Sequence, residues 1–188
     1  MTDKVLTTPK GKAIFPHLIE ADTMFQTEGL FHVKLECPKT ESENIISVIK
    51  NGIAQEVKKQ HDLNPNKAIT YAPLPYEETD ETVTFKFKLK ASGVRKSDGK
   101  AFTQAPNIIN ADLTAFDKQN QIWGDSILKI TFEPIFWNMP IGIGSTLRLK
   151  TVQVLELVTG TSTNNTLGDL KAEQMVEPKV KQPTPEIC

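Results

Sequence analysis

The chain has 188 residues, a hydrophobic content of 38% and a formal net charge of −1. This length suits one domain with a tail, and it is sufficient to bury a core. No apolar run approaches the roughly 18 residues that cross a bilayer, so we expect no membrane association. The balanced charge excludes a globally basic protein, and any binding of nucleic acid must depend on how the charges are distributed.

Cysteine and histidine usage limits the chemistry further. Cys37 and Cys188 can form only one bridge, which excludes a disulfide framework and fits a reducing cytoplasm. The first residues contain no apolar segment, so no secretion signal is expected. His17, His32 and His61 are scattered, and neither cysteine lies at metal-ligand spacing from them. We therefore expect no metal site and no cofactor.

The first half of the chain predicts one strand and one helix. Apolar and polar residues alternate over 29–37, which predicts a strand. Residues 40–43 resemble a capping box, and apolar residues follow at helical spacing, which predicts a helix over 41–60. These apolar residues are Ile45, Ile46, Ile49, Ile53 and Val57. Prolines punctuate residues 61–81, which predicts a loop.

The second half changes to a period of two. It predicts strands over 82–91, 107–116, 126–136 and 145–158, with turns at 95–99, 117–120 and 140–144. Short strands at this spacing with one helix indicate a mainly β fold, a small barrel or sandwich. Residues 160–188 are polar and contain several prolines. We therefore predict a domain over 1–159 and a disordered tail over 160–188.

The stretch TFKFKLK at 84–90 concentrates positive charge on one face of a strand. Phe85, Phe87 and Leu89 alternate with lysines, so one face is apolar and the other basic. Six basic residues and one acid lie between residues 86 and 100. The chain has 20 lysines and two arginines. Lysine suits phosphate contact, whereas arginine suits the reading of base edges, so sequence-independent binding is favoured.

Single-stranded nucleic acid is held by a basic groove and by aromatic faces on which bases stack. The second half of the chain supplies both kinds of residue. The candidate DNA-binding residues are Lys86, Lys88, Lys90, Arg95, Lys96, Lys100, Phe102, Lys129, Trp137, Arg148, Lys150 and Tyr76. Phe85, Phe87 and Phe132 are assigned to the core by alternation.

Each candidate also has a simpler alternative. Trp137 either stacks on bases or packs against the protein, because it follows Phe136 beside a loop rich in proline and glycine. Tyr71 and Tyr76 either cap the core or offer platforms for bases. For the lysines alone, the alternative is a solvated strand face.

An enzymatic function has no support in the sequence. No Gly-x-Ser-x-Gly motif occurs, and the glycines at 142–144 lack the Gly-Lys-Ser/Thr ending of a phosphate loop. The carboxylates within 77–81 are interpreted as solvated loop charge. Two alternatives stay open: a β-rich structural or scaffolding protein, and a nucleic-acid-processing enzyme, which would require a carboxylate or metal cluster.

Five segments in a fixed order resemble a known family. They are LPYE at 74–77, TVTFKFK at 82–88, WGDSILKI at 123–130, EPIFWN at 133–138 and GSTLRLKTVQVLEL at 144–157. Their order and spacing resemble the single-stranded DNA-binding protein of T7-type podoviruses. The resemblance implies an OB-fold, a five-stranded Greek-key barrel with an added α-helix. It also implies coating of single-stranded DNA during phage replication and recombination, in the cytoplasm of the infected bacterial host.

The resemblance extends to partners and to some residues. It implies a homodimer that works with the phage DNA polymerase and helicase-primase. Lys86, Lys88, Trp137 and Lys150 fall on matching segments, whereas Arg95, Lys96 and Lys100 lie in a variable turn and are chosen on charge. Family tails are strongly acidic and end in an aromatic residue, but residues 160–188 contain four acids and three bases and end in cysteine. This difference argues against tail-mediated partner binding and a tail-exchanged dimer.

Overall fold

The computed structural model describes residues 5–24, 26–95 and 97–159. The described chain is mainly β, with one long helix. The elements are β1 (Leu6–Thr7), β2 (Gly11–Asp22), β3 (Leu30–Pro38), α1 (Lys39–Leu63), β4 (Tyr76–Glu78), β5 (Thr82–Lys90), β6 (Ser92–Val94), β7 (Ala101–Thr103), β8 (Asn107–Asn110), β9 (Ile127–Met139) and β10 (Gly142–Glu156). The predicted tail at 160–188 lies outside the described residues.

The pairings of the long strands form a closed circuit. β9 pairs with β2, β2 with β3, β3 with β5, β5 with β10, and β10 again with β9. The β5–β10 pair is parallel and the others are antiparallel. Three short strands extend this circuit: β1 pairs with β9, β4 with β5 and β8 with β10. Together they form an eight-stranded sheet. The sheet therefore has three strands beyond the five that the resemblance implied, and β6 and β7 form a separate hairpin.

The apolar faces of the strands meet in one core. Phe85, Phe87 and Phe132 are fully buried, as the alternation predicted. The rings of Phe87 and Phe132 lie 5.1 Å apart between centroids, at a tilt of 59°. Because alternate residues of β5 point to opposite faces, this burial directs the lysines of the same strand outward.

The predicted helix is confirmed, with different limits. α1 begins two residues earlier and ends three residues later than expected, and it buries Ile45, Ile49 and Ile53. The predicted capping box is wrong. Pro38, and not Thr40, occupies the N-cap position. It has neither a hydroxyl group nor a backbone N–H that could donate a hydrogen bond to a glutamate, so the box cannot form. Instead Ser42 Oγ donates a hydrogen bond of 2.8 Å to the carbonyl of Pro38.

Five strands were not predicted: β1, β2, β4, β6 and β7. β2 carries Pro16 within it, and Phe15 just before has a φ of 47°, so its alternation is broken. β4 lies inside the predicted loop 61–81, because its pairing with β5 depends on tertiary contact.

The limits of two predicted strands also change. The predicted strand 107–116 ends at Asn110, where the Asp112 carboxylate accepts hydrogen bonds from the amide and hydroxyl of Thr114 and closes a turn. β10 begins at Gly142, within the predicted loop 140–144, because it pairs with β9 from that residue onward. Within the described ranges, no helix has both the length and the apolar character needed to span a membrane.

Candidate nucleic-acid interface

A row of polar side chains crosses five strands on the outer face of the sheet. His17 on β2 pairs with His32 on β3, His32 with Lys88 on β5, Lys88 with Arg148 on β10, and Arg148 with Glu133 on β9. We call these five residues the transverse row. Neighbouring strands lie about 5 Å apart, so the three strand spacings between His17 and Arg148 span roughly 15 Å.

Lys88 lies at the centre of this row and is exposed. Among the described residues its ammonium group has no hydrogen-bond or ion-pair partner. Lys34 and Lys86 are register partners two residues along the same face. Like charges directly opposite each other on neighbouring strands are destabilising, so this arrangement suits an anionic ligand. We call Lys34, Lys86, Lys88, Arg148 and Lys150 the basic face.

Lys34 was missed in the sequence. The alternation of 29–37 placed it on the polar side of its strand, but the neighbouring strand was unknown. The pairing of β3 with β5 brings it beside Lys86. A single lysine on a polar strand face carries no signal of its own, so only tertiary pairing could identify it.

The acidic segment before β5, residues 77–81, contains two glutamates that contact lysines. Glu77 forms an ion pair with Lys86, whose hydrogen bond and charge hold the pKa of that carboxyl below its usual range. Glu78 contacts Lys39 at 3.2 Å and Lys50 at 3.7 Å. The expectation of merely solvated loop charge was therefore wrong for these two glutamates, because β4 pairs with β5 and holds them against lysines.

Glu133 organises the other end of the basic face. Its carboxylate lies 3.5 Å from the Arg148 guanidinium and 3.0 Å from the Lys150 ammonium. The Glu133 side chain is only 11% exposed, whereas both cations are nearly half exposed. The buried carboxylate therefore orients two cations whose outer sides remain open to a ligand.

Trp137 faces outward at the end of β9. It is half-buried and pairs in register with Gly144 on β10. Its ring covers this glycine so closely that a Cβ there would lie 2.8 Å from the ring. The indole Nε1 donates a hydrogen bond of 3.0 Å to Thr146 Oγ1. The ring is thereby held in one orientation on the same outer face as Arg148.

Tyr76 does not belong to this surface. It is 4% exposed and packs 6.0 Å from the Phe85 ring, so no ring face is available to a base. Burial, followed by the charge of Glu78, raises the pKa of its hydroxyl. The prediction that Tyr76 binds DNA is therefore wrong, and the alternative that it caps the core applies. Tyr71, in contrast, is 63% exposed, so it does not cap the core in the same way.

The residues after Lys88 lie around a separate hairpin. Lys90 contacts Glu28 at 3.3 Å, and Arg95 contacts Asp98 at 4.0 Å. Lys100 is exposed at the same turn. Phe102 is half-buried and packs on Gly93. Lys96 lies outside the described residues.

Lys129 is separated from the basic face. It is half-buried in a pocket that is also lined by Thr7, Glu41 and Gln153. It pairs in register with Gln153, which lies three residues along β10 from Lys150, or about 10 Å of strand. The predicted site residues therefore divide into the basic face with Trp137, the β6–β7 hairpin and an isolated Lys129.

No family profile matches the chain, and no curated protein matches it. Solved structures do match. The fold is that of phage single-stranded DNA-binding proteins. The chain is similar to gp2.5, a single-stranded DNA-binding protein encoded by bacteriophage T7, with a TM-score of 0.72 and 22% sequence identity over 87% of this chain and 98% of that chain. The resemblance found in the sequence is thus confirmed for the fold.

A second phage protein has the same fold with less identity. The single-stranded DNA-binding protein of bacteriophage Enc34 matches with a TM-score of 0.55 and 13% identity over 87% of both chains. Its complex with single-stranded DNA matches with a TM-score of 0.55 and 13% identity, over 82% of this chain and 88% of that chain.

Two exposed aromatic residues were also missed. Phe15 is 74% exposed and Trp123 is 52% exposed, and both line one groove of about 630 Å³. Phe15 has a φ of 47°, which is uncommon for a residue with a side chain. Phe15 carried no sequence signal, because its exposure accompanies the irregular path of β2. Trp123 lies in the loop before β9, and its place in this groove depends on tertiary contact.

The histidines are not all scattered. The structure brings His17 and His32 together, with ring centroids 4.7 Å apart, whereas His61 lies on α1. Separation along the sequence concealed this pair, because β2 and β3 are antiparallel neighbours.

Proposed function

We propose that this chain binds and coats single-stranded DNA without strong sequence preference, during phage DNA replication and recombination. The observation that carries the proposal is the basic face, five cations on adjacent strands of a fold shared with phage single-stranded DNA-binding proteins. The solved complex of the Enc34 protein with single-stranded DNA supports the same ligand class.

In the proposed mechanism, Lys88 makes the first phosphate contact because no carboxylate competes for it among the described residues. Lys86 must exchange Glu77 for a phosphate. Exposed ion pairs contribute little free energy, so a phosphate can displace the glutamate. Arg148 and Lys150 keep Glu133 and contact phosphate with their open sides. Lysine contacts of this kind carry no sequence information.

Trp137 supplies the stacking platform in this account. Its ring is already fixed by Gly144 and Thr146, so a base that stacks on it immobilises no further side chain. Base stacking on an aromatic side chain contributes about 1–3 kcal/mol and tolerates any base. Stacking at Trp137 and phosphate contact at the basic face together suit a coating protein.

We further propose that the closed circuit of five strands is an OB-fold barrel, with β1, β4 and β8 as additions. The circuit and the similarity to gp2.5 support this assignment. A homodimer, contacts with the phage DNA polymerase and helicase-primase, and action in the cytoplasm of the infected host are proposed from the family resemblance. The chain acts by binding, without catalysis.

Fluorescence titration tests the proposal. Trp123 and Trp137 are the two tryptophans, so oligo(dT) is added while their emission is followed at several salt concentrations. Quenching that weakens as salt rises is expected, because phosphate contacts release counterions. No change in emission with excess oligonucleotide, combined with no shift in anisotropy of labelled oligo(dT), would favour the scaffolding alternative.

A further inference from the structure

Three side chains with metal-binding chemistry meet at the histidine end of the transverse row. The His17 and His32 rings lie 4.7 Å apart, and His32 Nε2 lies 3.3 Å from Asp22 Oδ2. One ligand atom from each residue lies within 4.8 Å of the other two. Two imidazoles and one carboxylate are a donor set that binds Zn²⁺ and other divalent transition metals.

Two register shifts in β2 build this cluster. In the regular part of the hairpin Ile14 pairs with Lys34, and an unbroken ladder would place Pro16 opposite His32. One extra residue places His17 there instead. A second shift sets Asp22 opposite Leu30, two residues from His32. Bulges that redirect a side chain are common beside functional sites.

We propose that His17, Asp22 and His32 form a binding site for a divalent transition-metal ion such as Zn²⁺, with one coordination position open to solvent. Metal–ligand bonds of about 2.0–2.1 Å in a tetrahedron separate the ligand atoms by about 3.3 Å. The His32–Asp22 pair already has this separation. The His17 side chain is exposed, so its rotation can close the remaining gap.

The hydrogen bonds of Asp22 prepare it as a ligand. Its Oδ1 accepts the amide of Met24 at 2.8 Å, which fixes the carboxylate and leaves Oδ2 directed at His32. This amide, together with His32, holds the pKa of the Asp22 carboxyl below its usual value. Outer hydrogen bonds that orient a ligand are a regular part of metal sites.

The donor set also defines which ions fit. Mg²⁺ and Ca²⁺ prefer sets made of oxygen, so a site with two imidazoles selects transition metals. The ion would lie next to Lys88 in the transverse row and extend the positive charge of the basic face. The site does not depend on DNA binding, because all three ligands come from one hairpin.

Zinc titration of tag-free, full-length protein without DNA tests the site. Calorimetry is expected to show one Zn²⁺ per chain, with at least tenfold weaker binding in His17→Ala and in Asp22→Asn. His61→Ala is the matched control and should bind like the wild type, because that histidine lies on α1. Equal affinity in wild type and His17→Ala, or no binding by the wild type, would overturn the proposal.

Two further readouts identify the ligands and check the fold. Co²⁺ at the same site should give visible absorption without a thiolate charge-transfer band, since no cysteine is involved. A thiolate band would overturn the assignment. Zn²⁺ should raise the Tm of the wild type and not that of His17→Ala. His17 is exposed, so without metal the His17→Ala variant should have the same Tm as the wild type. The comparison of these two proteins therefore tests the site even if Asp22→Asn lowers the stability of the fold.

Discussion

Glu77 on β4 forms an ion pair with Lys86 on β5, at the edge of the basic face. An internal carboxylate therefore occupies a position that the proposed ligand needs. The lysine is about one-third exposed and the glutamate about two-thirds exposed, so solvent weakens the pair. We therefore expect Glu77 to lower the affinity of the basic face for DNA without closing it.

Removing this carboxylate should strengthen DNA binding. Glu77→Gln frees Lys86 and removes one negative charge near the phosphates, so oligo(dT) affinity should rise by about two- to fivefold at low salt. Fluorescence anisotropy with labelled oligo(dT) measures the change. Asp80→Asn is the control, because it removes the same charge from the same segment without releasing a lysine of the basic face. An equal gain in both variants would show that only net charge matters.

The ring of Trp137 should contribute stacking. Trp137→Ala should weaken oligo(dT) binding by about 1–3 kcal/mol, and Trp137→Phe should retain part of the affinity because it retains a ring. Trp123→Ala is the matched control, since Trp123 lines a different groove. If Trp123→Ala causes the larger decrease, then the Phe15–Trp123 groove is the stacking site and the assignment to Trp137 is wrong.

Gly142 should tolerate substitution less well than Gly99, another glycine with positive φ. Gly142 has a φ of 125°, and a Cβ there would lie 2.7 Å from the carbonyl oxygen of Thr70. Gly99 has a φ of 66°, and within the described ranges no side chain or backbone atom beyond its two chain neighbours lies within 4 Å of the position of a Cβ. Gly99→Ala should cost about 1 kcal/mol in the free energy of unfolding, from backbone strain alone. Gly142→Ala should cost roughly 1–3 kcal/mol more, from the added clash. Urea denaturation compares them, and equal decreases in stability would contradict the close approach of Thr70.

Cys37 should be chemically inert in the folded protein. Burial, followed by the charges of Glu41 and Glu36, raises the pKa of its thiol to about 12. At pH 8 the thiol is then almost entirely protonated, and only the thiolate reacts. In Cys188→Ser, where Cys37 is the remaining thiol, a disulfide reagent should react slowly when the protein is folded and fully in denaturant. Rapid reaction of the folded variant would contradict the burial of the Cys37 side chain in β3.

Much of the fold and part of the site were predictable from periodicity. The alternation of 82–91 indicated both the buried Phe85 and Phe87 and the outward lysines, because a strand with one buried face fixes the direction of every side chain. The spacing of Ile45, Ile49 and Ile53 indicated the helix for the same reason. These features depend only on residues close together in the chain.

The remainder depends on contacts between distant segments. β2 was not recognised because Pro16 and the conformation of Phe15 interrupt its alternation. Those interruptions also bring His17 to His32, so the feature that concealed the strand creates the histidine pair. Tyr76 was misassigned for a related reason: its segment pairs with β5 and turns the ring into the core.

The central claim is that the outward lysines of β5 contact phosphate, and the salt dependence of oligo(dT) binding tests it most directly. Removing one lysine–phosphate interaction should reduce the slope of log affinity against log salt by about 0.7 for a single strand. Lys86→Ala with Lys88→Ala should therefore flatten the slope by about 1.4 and weaken binding at low salt. Lys58→Ala with Lys59→Ala on α1, the matched control, should keep the wild-type slope. An unchanged slope in the β5 variant would contradict the account.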